Sequence, residues 1–273
     1  MKIKLIISIL FCITAISCSN DDDSALIQTN NWEYLSKSRI LGSHRGLLGY
    51  PENSYEGILA AIKAGYKVIE IDVARTKEGV FVVHHDATID RCSDGQGYVK
   101  DYTFEELQQF NFGHYLGGAF PDTKISTLTE ILELCKRYDV AIELDLSNDV
   151  IIPDEYTLSI YKLVKDCGMV SHTLFCGNKI KMELLLNEDP SVNIDVVLWT
   201  TDALNGVLSL RGHAKIMFVT IPWTRITSGF IEEAHDNNIK VEGWTCVSKD
   251  EVASCFAIGV DYVLEESNIY IGN

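Results

Sequence analysis

The sequence predicts an α/β protein whose parallel strands close into a (β/α)₈ barrel, the TIM barrel. Short β-rich segments alternate with longer amphipathic segments, the β-rich segments number eight, and together they occupy about 235 residues, the usual size of such a barrel. Strands that alternate with helices are expected to be parallel, with the helices outside. The main alternative is an open, doubly wound sheet, which has the same alternation.

Each predicted strand is a short run rich in apolar and β-branched residues. The eight runs cover residues 38–44, 67–73, 140–146, 172–176, 195–200, 215–221, 239–246 and 260–265. No second linker interrupts them, so we expect one barrel domain over residues 36–273.

A small insertion is predicted after the second strand, at about residues 78–127. It contains the run VFVVHHD, which predicts an extra hairpin strand. Thr103 with Glu106, and Thr127 with Glu130, have the spacing of a capping box, so a helix is expected to begin after each threonine.

The composition limits the possible functions. Hydrophobic residues make up 47% of the chain, which is enough for a substantial core. The 23 Lys and Arg residues against 39 Asp and Glu residues give a formal net charge of −16. Because nucleic-acid binding depends on neutralising phosphates, so acidic a chain is not expected to have a nucleic-acid partner.

Residues 1–17 have the features of a bacterial export signal. Two lysines precede the apolar run LIISILFCITAI, which is shorter than the roughly 20 residues of a membrane-spanning helix. The small residue before Cys18 resembles the cleavage box of lipoproteins, in which the cysteine becomes the lipidated first residue. We interpret residues 1–17 as a lipoprotein signal peptide and 18–35 as an acidic tether. The protein is then expected outside the cytoplasm, anchored to the outer membrane; an ordinary secretory signal is the alternative.

Six cysteines follow Cys18, and an even number could pair in an oxidising compartment. They are Cys92, Cys135, Cys167, Cys176, Cys246 and Cys255. None has the spacing of a zinc site, and most lie in apolar runs. Buried free thiols are therefore predicted.

Two predicted strands each carry a pair of acidic residues. Glu70 and Asp72 in IEIDV, like Glu143 and Asp145 in IELDL, are two residues apart and share one face of their strand. Pairing with Lys or Arg would explain one buried carboxylate, but the repetition in two strands favours a cation among them. Oxygen ligands favour Ca²⁺ or Mg²⁺.

Two histidines are expected at the carboxyl ends of strands, where the active sites of barrel enzymes lie. His44 ends the first strand, and His85 follows the run VFVV, whose alternation sends His84 to the opposite face. Beside a metal, two imidazoles could take a proton from a nucleophile and protonate a leaving alkoxide, as phosphodiester cleavage requires. Arg45 could hold a phosphate oxygen.

An ordered series of motifs resembles one known family, the glycerophosphodiester phosphodiesterases. The segment HRGLLGYPENSYEGILAAIKAGYKVIEIDVARTKEGVFVVHHDATIDRCSDGQG is similar to the opening half of these enzymes. It carries the family's H-R-G, P-E-N-[ST], E-x-D-V, T-K-[DE]-G and H-D-x-T-x-[DE]-R elements in order. TLTEILEL, IELDL and GWTCV extend the resemblance over about residues 38–265, with fewer matches after residue 150.

The resemblance implies a barrel with a small insertion, and metal-assisted hydrolysis that releases an alcohol and a phosphomonoester such as glycerol 3-phosphate. It implies that His44 and His85 are catalytic, and that Glu70, Asp72 and Glu143 bind one divalent ion, calcium or magnesium. Three other matched residues are expected around the substrate: Arg45 at the phosphate, Trp244 in the pocket and Glu52 supporting the loop after the first strand.

Two positions depart from the family pattern. Asp145, which we expect to face the substrate, stands where the family usually has a lysine. The final strand ends in Glu265 and Glu266 in place of a Thr-Asp or Ser-Asp pair. Both changes make the barrel mouth more negative. A phosphodiester would then need a second cation, its own positive charge, or a nearby Lys179 or Arg225.

Three functions of different classes fit these observations. The first is a lipid-anchored hydrolase of glycerophosphodiesters. The second is a lyase similar to phosphatidylinositol-specific phospholipase C, which releases a cyclic phosphate. The third is a binding lipoprotein without activity. His44 and His85 favour an enzyme, and Asp145 favours the binding protein.

Overall fold

Eight parallel strands form a closed barrel, which confirms the predicted TIM barrel. The computed structural model describes residues 30–267. Its barrel strands are β1 Ile40–His44, β2 Val68–Arg75, β4 Ala141–Asp145, β5 Thr173–Gly177, β6 Asn193–Val197, β7 Ile216–Pro222, β8 Lys240–Cys246 and β9 Tyr262–Glu265. Neighbouring strands pair in order around the barrel, and β1 pairs with both β2 and β9. The sheet therefore closes, and the open-sheet alternative is excluded.

Helices connect most of the strands. They are α1 Trp32–Leu35, α2 Tyr55–Ala64, α3 Phe104–Leu107, α4 Leu128–Arg137, α5 Thr157–Asp166, α6 Lys179–Glu188, α7 Ser228–Asp236 and α8 Lys249–Ile258. Between β6 and β7 the chain forms 3₁₀ turns over Thr201–Gly206 and Leu208–Leu210 in place of an α-helix. Within residues 30–267, no helix has the length and apolar character needed to cross a membrane.

Between β2 and α4 the chain forms an additional small unit. Strand β3, Phe81–Val83, pairs antiparallel with β2 as a hairpin. Thr103 with Glu106, and Thr127 with Glu130, form complete capping boxes at the starts of α3 and α4. The insertion has a small core of its own, made of Ala74, Val82, Ile89, Val99, Leu107, Phe112 and Ile125.

The amino-terminal end of the barrel is closed by Trp32. This side chain is fully buried, contacts Phe218 and Tyr262 edge to face at 5.7 Å, and donates its indole N–H to the Ile142 carbonyl oxygen. The tether predicted for residues 18–35 therefore ends too late, because residues 30–35 belong to the barrel. A single buried tryptophan leaves no periodic pattern in the sequence. The predicted signal peptide and Cys18 lie outside the described residues.

The barrel interior changes from apolar to acidic along the strands. The layer at the amino-terminal ends of the strands is apolar and contains Val68, Ala141, Leu174, Phe218 and Tyr262. Gly42 on β1 leaves room for the Tyr262 ring, because a Cβ atom at Gly42 would overlap the phenol. The Tyr262 hydroxyl can thus cross the barrel and donate to Glu143 Oε2 at 2.6 Å. Carboxylates occupy the layers nearer the carboxyl ends of the strands.

The six cysteines of the described chain are free and buried, which confirms that prediction. The closest approach between two of them is at the end of β8, where Cys246 Sγ lies 3.6 Å from Cys255 Sγ.

Candidate active site

A cavity opens at the carboxyl ends of the strands, and most of the predicted site residues meet there. Those that line it are His44, Arg45, Glu70, His85, Glu143, Asp145 and Trp244. Asp72 lines an adjoining cleft together with His85 and Asp145. Glu52 does not line the cavity, but it forms ion pairs with Arg45 and Arg91.

His44, the last residue of β1, is held by a carboxylate. Its Nδ1 lies 2.5 Å from Glu266 Oε1, and its Nε2 is directed to Glu70, 3.9 Å from Oε2. The hydrogen bond with His44 lowers the pKa of Glu266, so this carboxylate stays ionised. The sequence predicted only added negative charge at Glu266. Its contact with His44 was missed because it depends on β9 pairing with β1.

His85 has the same kind of partner. Its Nδ1 lies 2.6 Å from Asp86 Oδ1, and Arg91 Nε donates to Asp86 Oδ2 at 2.7 Å. Burial raises the pKa of Asp86, but hydrogen bonds from Arg91 and His85 outweigh it and lower this pKa to about 2. His84 faces away, as alternation predicts: it is buried in the insertion, and its Nε2 lies 3.0 Å from the Thr88 carbonyl oxygen.

Glu52 links the loop after β1 to the insertion. Arg91 donates to both of its carboxylate oxygens, at 2.6 and 2.7 Å, and Arg45 Nη1 lies 3.5 Å from Oε1. Burial raises the pKa of Glu52, but the hydrogen bond from Arg91 and the charges of Arg45 and Arg91 together outweigh burial and lower this pKa, so the group is ionised. Arg91 is the arginine of the H-D-x-T-x-[DE]-R motif, but the sequence alone gave no role for it.

Three carboxylates form what we call the outer cluster: Glu70, Asp72 and Asp145. Their oxygen atoms lie within 4.8 Å of one another, and an all-oxygen donor set fits a hard divalent cation. Asn53 donates to Asp72 Oδ2 at 2.7 Å, and Arg45 Nε lies 3.0 Å from the same oxygen. Burial, followed by the charge of Asp72, raises the pKa of both Glu70 and Asp145. These residues could hold a metal ion.

The turn after β1 brings Arg45 to this cluster. Arg45 adopts the left-handed backbone region at φ 56°, which non-glycine residues seldom occupy outside sites where the surroundings enforce it. Its backbone N–H lies 3.1 Å from both the Glu70 carbonyl oxygen and Glu70 Oε2. The H-R-G motif therefore positions a guanidinium group and a backbone donor on the outer cluster.

Glu143 belongs to a second group, deeper in the barrel. An oxygen of Glu143, Cys176 Sγ and an oxygen of Asp195 lie within 4.8 Å of one another, and the Glu242 carboxyl adjoins Glu143 and Asp195. We call Glu143, Cys176, Asp195 and Glu242 the inner cluster. The resemblance groups Glu143 with Glu70 and Asp72. In the structure Glu143 is the direct neighbour of Glu70 in the β2–β4 register, lines the same cavity and accepts from the Tyr262 hydroxyl.

Comparison with known proteins identifies the family. A model of the glycerophosphoryl diester phosphodiesterase family matches residues 44–266. The chain belongs to this family. A glycerophosphodiester phosphodiesterase of Bacillus altitudinis is 37% identical over 231 residues, which cover 82% of this chain and 93% of the relative. A glycerophosphodiester phosphodiesterase of Caldanaerobacter subterraneus subsp. tengcongensis is 26% identical over 226 residues, with 82% and 92% covered.

Solved structures share the fold. An Oleispira antarctica phosphodiesterase, in complex with the product sn-glycerol-3-phosphate, superposes with a TM-score of 0.73 at 21% identity. The match covers 85% of this chain and 94% of that chain. A glycerophosphoryl diester phosphodiesterase of Parabacteroides distasonis has a TM-score of 0.70 at 23% identity, with 88% and 90% covered.

In this member of the glycerophosphoryl diester phosphodiesterase family, two tryptophans form one wall of the cavity. Trp199 and Trp244 pack edge to face at 5.8 Å, and Trp199 is 62% exposed. Arg225 donates to the Trp199 carbonyl oxygen, and Lys179 donates to that of Gly206. Neither cation contacts the outer cluster, so neither replaces the lysine that the family usually has at position 145.

Proposed function

We propose that the chain is a metal-dependent hydrolase that converts glycerophosphodiesters into an alcohol and glycerol 3-phosphate. The observation that carries this proposal is the pair His44 and His85, each held at Nδ1 by a carboxylate, on a cavity that also presents the outer cluster. Family membership supports the substrate class.

We assign one divalent ion, calcium or magnesium, to Glu70, Asp72 and Glu143, with the Asp145 carboxylate of the outer cluster beside them. When bound, the ion supplies positive charge for the phosphate oxygens and for the charge that develops as the diester is cleaved. Arg45 already pairs with Asp72 and would direct its remaining N–H groups to a phosphate oxygen.

The two histidines act as acid and base in this proposal. One imidazole takes a proton from water as the water oxygen bonds to phosphorus. The other gives a proton to the alcohol oxygen as its bond to phosphorus breaks. Glu266 and Asp86 fix the two rings through Nδ1, which leaves Nε2 of each ring for proton transfer. The products are an alcohol and glycerol 3-phosphate.

Turnover of glycerophosphocholine by the purified mature chain tests the metal requirement. We expect an excess of chelator to abolish turnover, and added Ca²⁺ or Mg²⁺ to restore it. The same ions should raise the melting temperature, because an ion that binds only the folded state stabilises it. Full activity in excess chelator would contradict the proposal.

We also propose that the mature protein is held at the outer membrane, outside the cytoplasm, by a lipid on Cys18. The sequence around Cys18 is the sole support. Cell fractionation tests it: the wild type is expected with the membranes, and Cys18→Ser in the soluble or uncleaved fraction. A wild-type protein that is soluble after cleavage would point to an ordinary secretory signal.

A further inference from the structure

The end of β8 and helix α8 bring two cysteine side chains into contact. Cys246 is the last residue of β8, and Cys255 lies nine positions further along the chain, in α8. Their sulfur atoms are 3.6 Å apart. Because the sulfurs of a disulfide are about 2.05 Å apart, an approach of about 1.5 Å would bring the two within bonding distance. Side-chain rotations can supply a movement of this size.

The backbone between the two cysteines is fixed by hydrogen bonds. Only Val247 and Ser248 separate β8 from α8. The Ser248 hydroxyl accepts from the Glu251 N–H at 3.3 Å, and the Glu251 carboxylate accepts from the Val247 N–H at 2.6 Å. This short turn directs α8 back across the end of β8, so the fold itself sets the distance between the two sulfurs.

Both thiols lie in the main hydrophobic core. The exposed fraction of Cys246 is 0% and that of Cys255 is 1%. Thiols are weak hydrogen-bonding groups, so the contact between them adds little stability while both are reduced. A disulfide fits the same apolar surroundings, because it has no charge and no hydrogen to donate.

The two thiols differ in their readiness to react. The hydrogen bond between them lowers the pKa of Cys255 and raises that of Cys246. Cys255 is therefore the thiol that ionises first. The thiolate is the form that attacks a disulfide, so Cys255 is suited to begin an exchange and Cys246 to complete it.

We propose that Cys246 and Cys255 form a disulfide bond between β8 and α8 by exchange with a disulfide oxidant. The Cys255 thiolate attacks one sulfur of the oxidant, which forms a mixed disulfide and releases one thiol. Cys246 then loses its proton and attacks the Cys255 sulfur, which releases the second thiol. The two cysteines lose two electrons and two protons, and the reduced oxidant receives both.

Burial determines when this bond forms. Because neither sulfur is accessible in the folded chain, exchange takes place while the chain folds, before α8 packs on β8. Disulfides form and persist in oxidising compartments, and the export proposed above would deliver the chain to one.

The bond would support one wall of the active-site cavity. Trp244 and Thr245 line the cavity and directly precede Cys246. The Cys246 carbonyl oxygen accepts from the Glu266 N–H at 2.8 Å, and the Glu266 carboxylate holds His44. A link from Cys246 to α8 thus restrains backbone that carries a tryptophan of the wall and the partner of a catalytic histidine.

Oxidative refolding tests the proposal without an activity assay. The purified mature chain with Cys18→Ser, which retains six cysteines, is unfolded in urea and reductant. It is then refolded either with oxidised and reduced glutathione or in reductant alone. Free thiols are counted after denaturation, and a non-reduced tryptic digest is analysed by mass spectrometry. Because trypsin cleaves after Lys240 and Lys249, the bond would join the peptide 241–249 to the peptide 250–273.

The bond should be seen in three readouts. We expect the joined peptides after oxidative refolding, and two fewer free thiols than the six present in reductant. The oxidised chain should also melt about 5 °C or more above the reduced chain, because the cross-link restricts the unfolded state.

Two variants make the test specific. Cys255→Ala should keep all its thiols and gain no stability on oxidation. The matched control is Cys135→Ala, which removes another fully buried cysteine, in α4, and should still give the joined peptides.

Each contrary outcome overturns the proposal. Six free thiols in the oxidised chain would mean that the pair stays reduced. A link between other cysteines would place the bond elsewhere. Joined peptides without a higher melting temperature would show that the folded geometry does not suit the bond. If Cys255→Ala does not fold, the peptide map of the chain with both cysteines decides.

Discussion

The outer and inner clusters contain similar groups in different surroundings. In the outer cluster Asp72 is held by Arg45 and Asn53, and Glu70 accepts from the Arg45 backbone N–H. In the inner cluster, Tyr262 donates to Glu143, and the buried carboxyls of Asp195 and Glu242 lie within hydrogen-bonding reach of each other. The difference shows that Asp72 and Glu70 of the outer cluster are held by donors at the cavity mouth, where a substrate would bind. Burial raises the pKa of the three inner carboxyls, Glu143, Asp195 and Glu242, which favours their protonated forms.

The largest expected effects come from the histidines, because they face the outer cluster and its cavity. His44→Ala and His85→Ala should each reduce turnover by about a hundredfold or more, since each removes an acid or a base. The matched control is His84→Ala, which faces the insertion and should cost much less. Steady-state rates and circular dichroism measure activity and folding. Equal losses at His84 and His85 would contradict the assignment.

One substitution in each cluster tests the comparison directly. Asp72→Asn should lower turnover by about a hundredfold or more, because it removes a ligand and the partner of Arg45. Asp195→Asn should lower it by no more than about tenfold, because its carboxylate does not reach the mouth. Rates are compared at saturating metal. A larger loss in Asp195→Asn than in Asp72→Asn would reverse the roles given to the two clusters.

Asp145 belongs to the outer cluster and also faces the cavity, so its charge should affect substrate choice. We expect the wild type to prefer glycerophosphocholine, whose ammonium group Trp199 and Trp244 could face, over the anionic glycerophosphoglycerol. Asp145→Lys should shift the ratio of the two kcat/KM values by on the order of tenfold towards the anionic substrate. Asp145→Asn, which only removes charge, should give an intermediate ratio. An unchanged ratio in Asp145→Lys would leave Asp145 as a metal ligand alone.

The smallest effect concerns the support of His85. The pKa of Asp86 falls from an ordinary 3.8 to about 2 in the fold. Because the folded value is the lower one, the stabilisation is complete above the ordinary value and is lost as the pH falls through about 2. The wild type should therefore exceed Asp86→Asn in free energy of unfolding, measured with urea, by less at pH 2 than at pH 5. Asp122→Asn, at a side chain that is 85% exposed, is the control. A gap that does not change with pH would contradict the lowered pKa.

Local patterns were sufficient to predict the fold. Strand periodicity predicted the eight barrel strands and the hairpin strand close to their observed positions. The two capping boxes predicted the starts of α3 and α4. Trp32 was placed in the tether because its contacts with Phe218 and Tyr262 come from residues more than a hundred positions away. Single long-range contacts of this kind leave no periodic signal.

The candidate site was predictable in its residue types but not in its pairings. Alternation placed Glu70, Asp72, His44 and His85 at one mouth, and the cavity contains or adjoins all four. The partnership of His44 with Glu266 depends on barrel closure, and that of Glu143 with Tyr262 depends on Gly42. Asp195 and Glu242 were missed because each is a lone acid in its strand, which the sequence cannot distinguish from an ordinary ion-paired residue.

Phosphorus NMR of glycerophosphocholine turnover by the purified mature chain, with added Ca²⁺ or Mg²⁺, distinguishes hydrolysis from the lyase reaction and from binding without turnover. We expect the diester resonance to decline while that of glycerol 3-phosphate grows in equal amount, and we expect chelator to stop both changes. A cyclic phosphate that accumulates as the final product would identify a lyase. An unchanged diester signal in the presence of either metal would identify a binding protein, and either result would contradict the proposed hydrolysis.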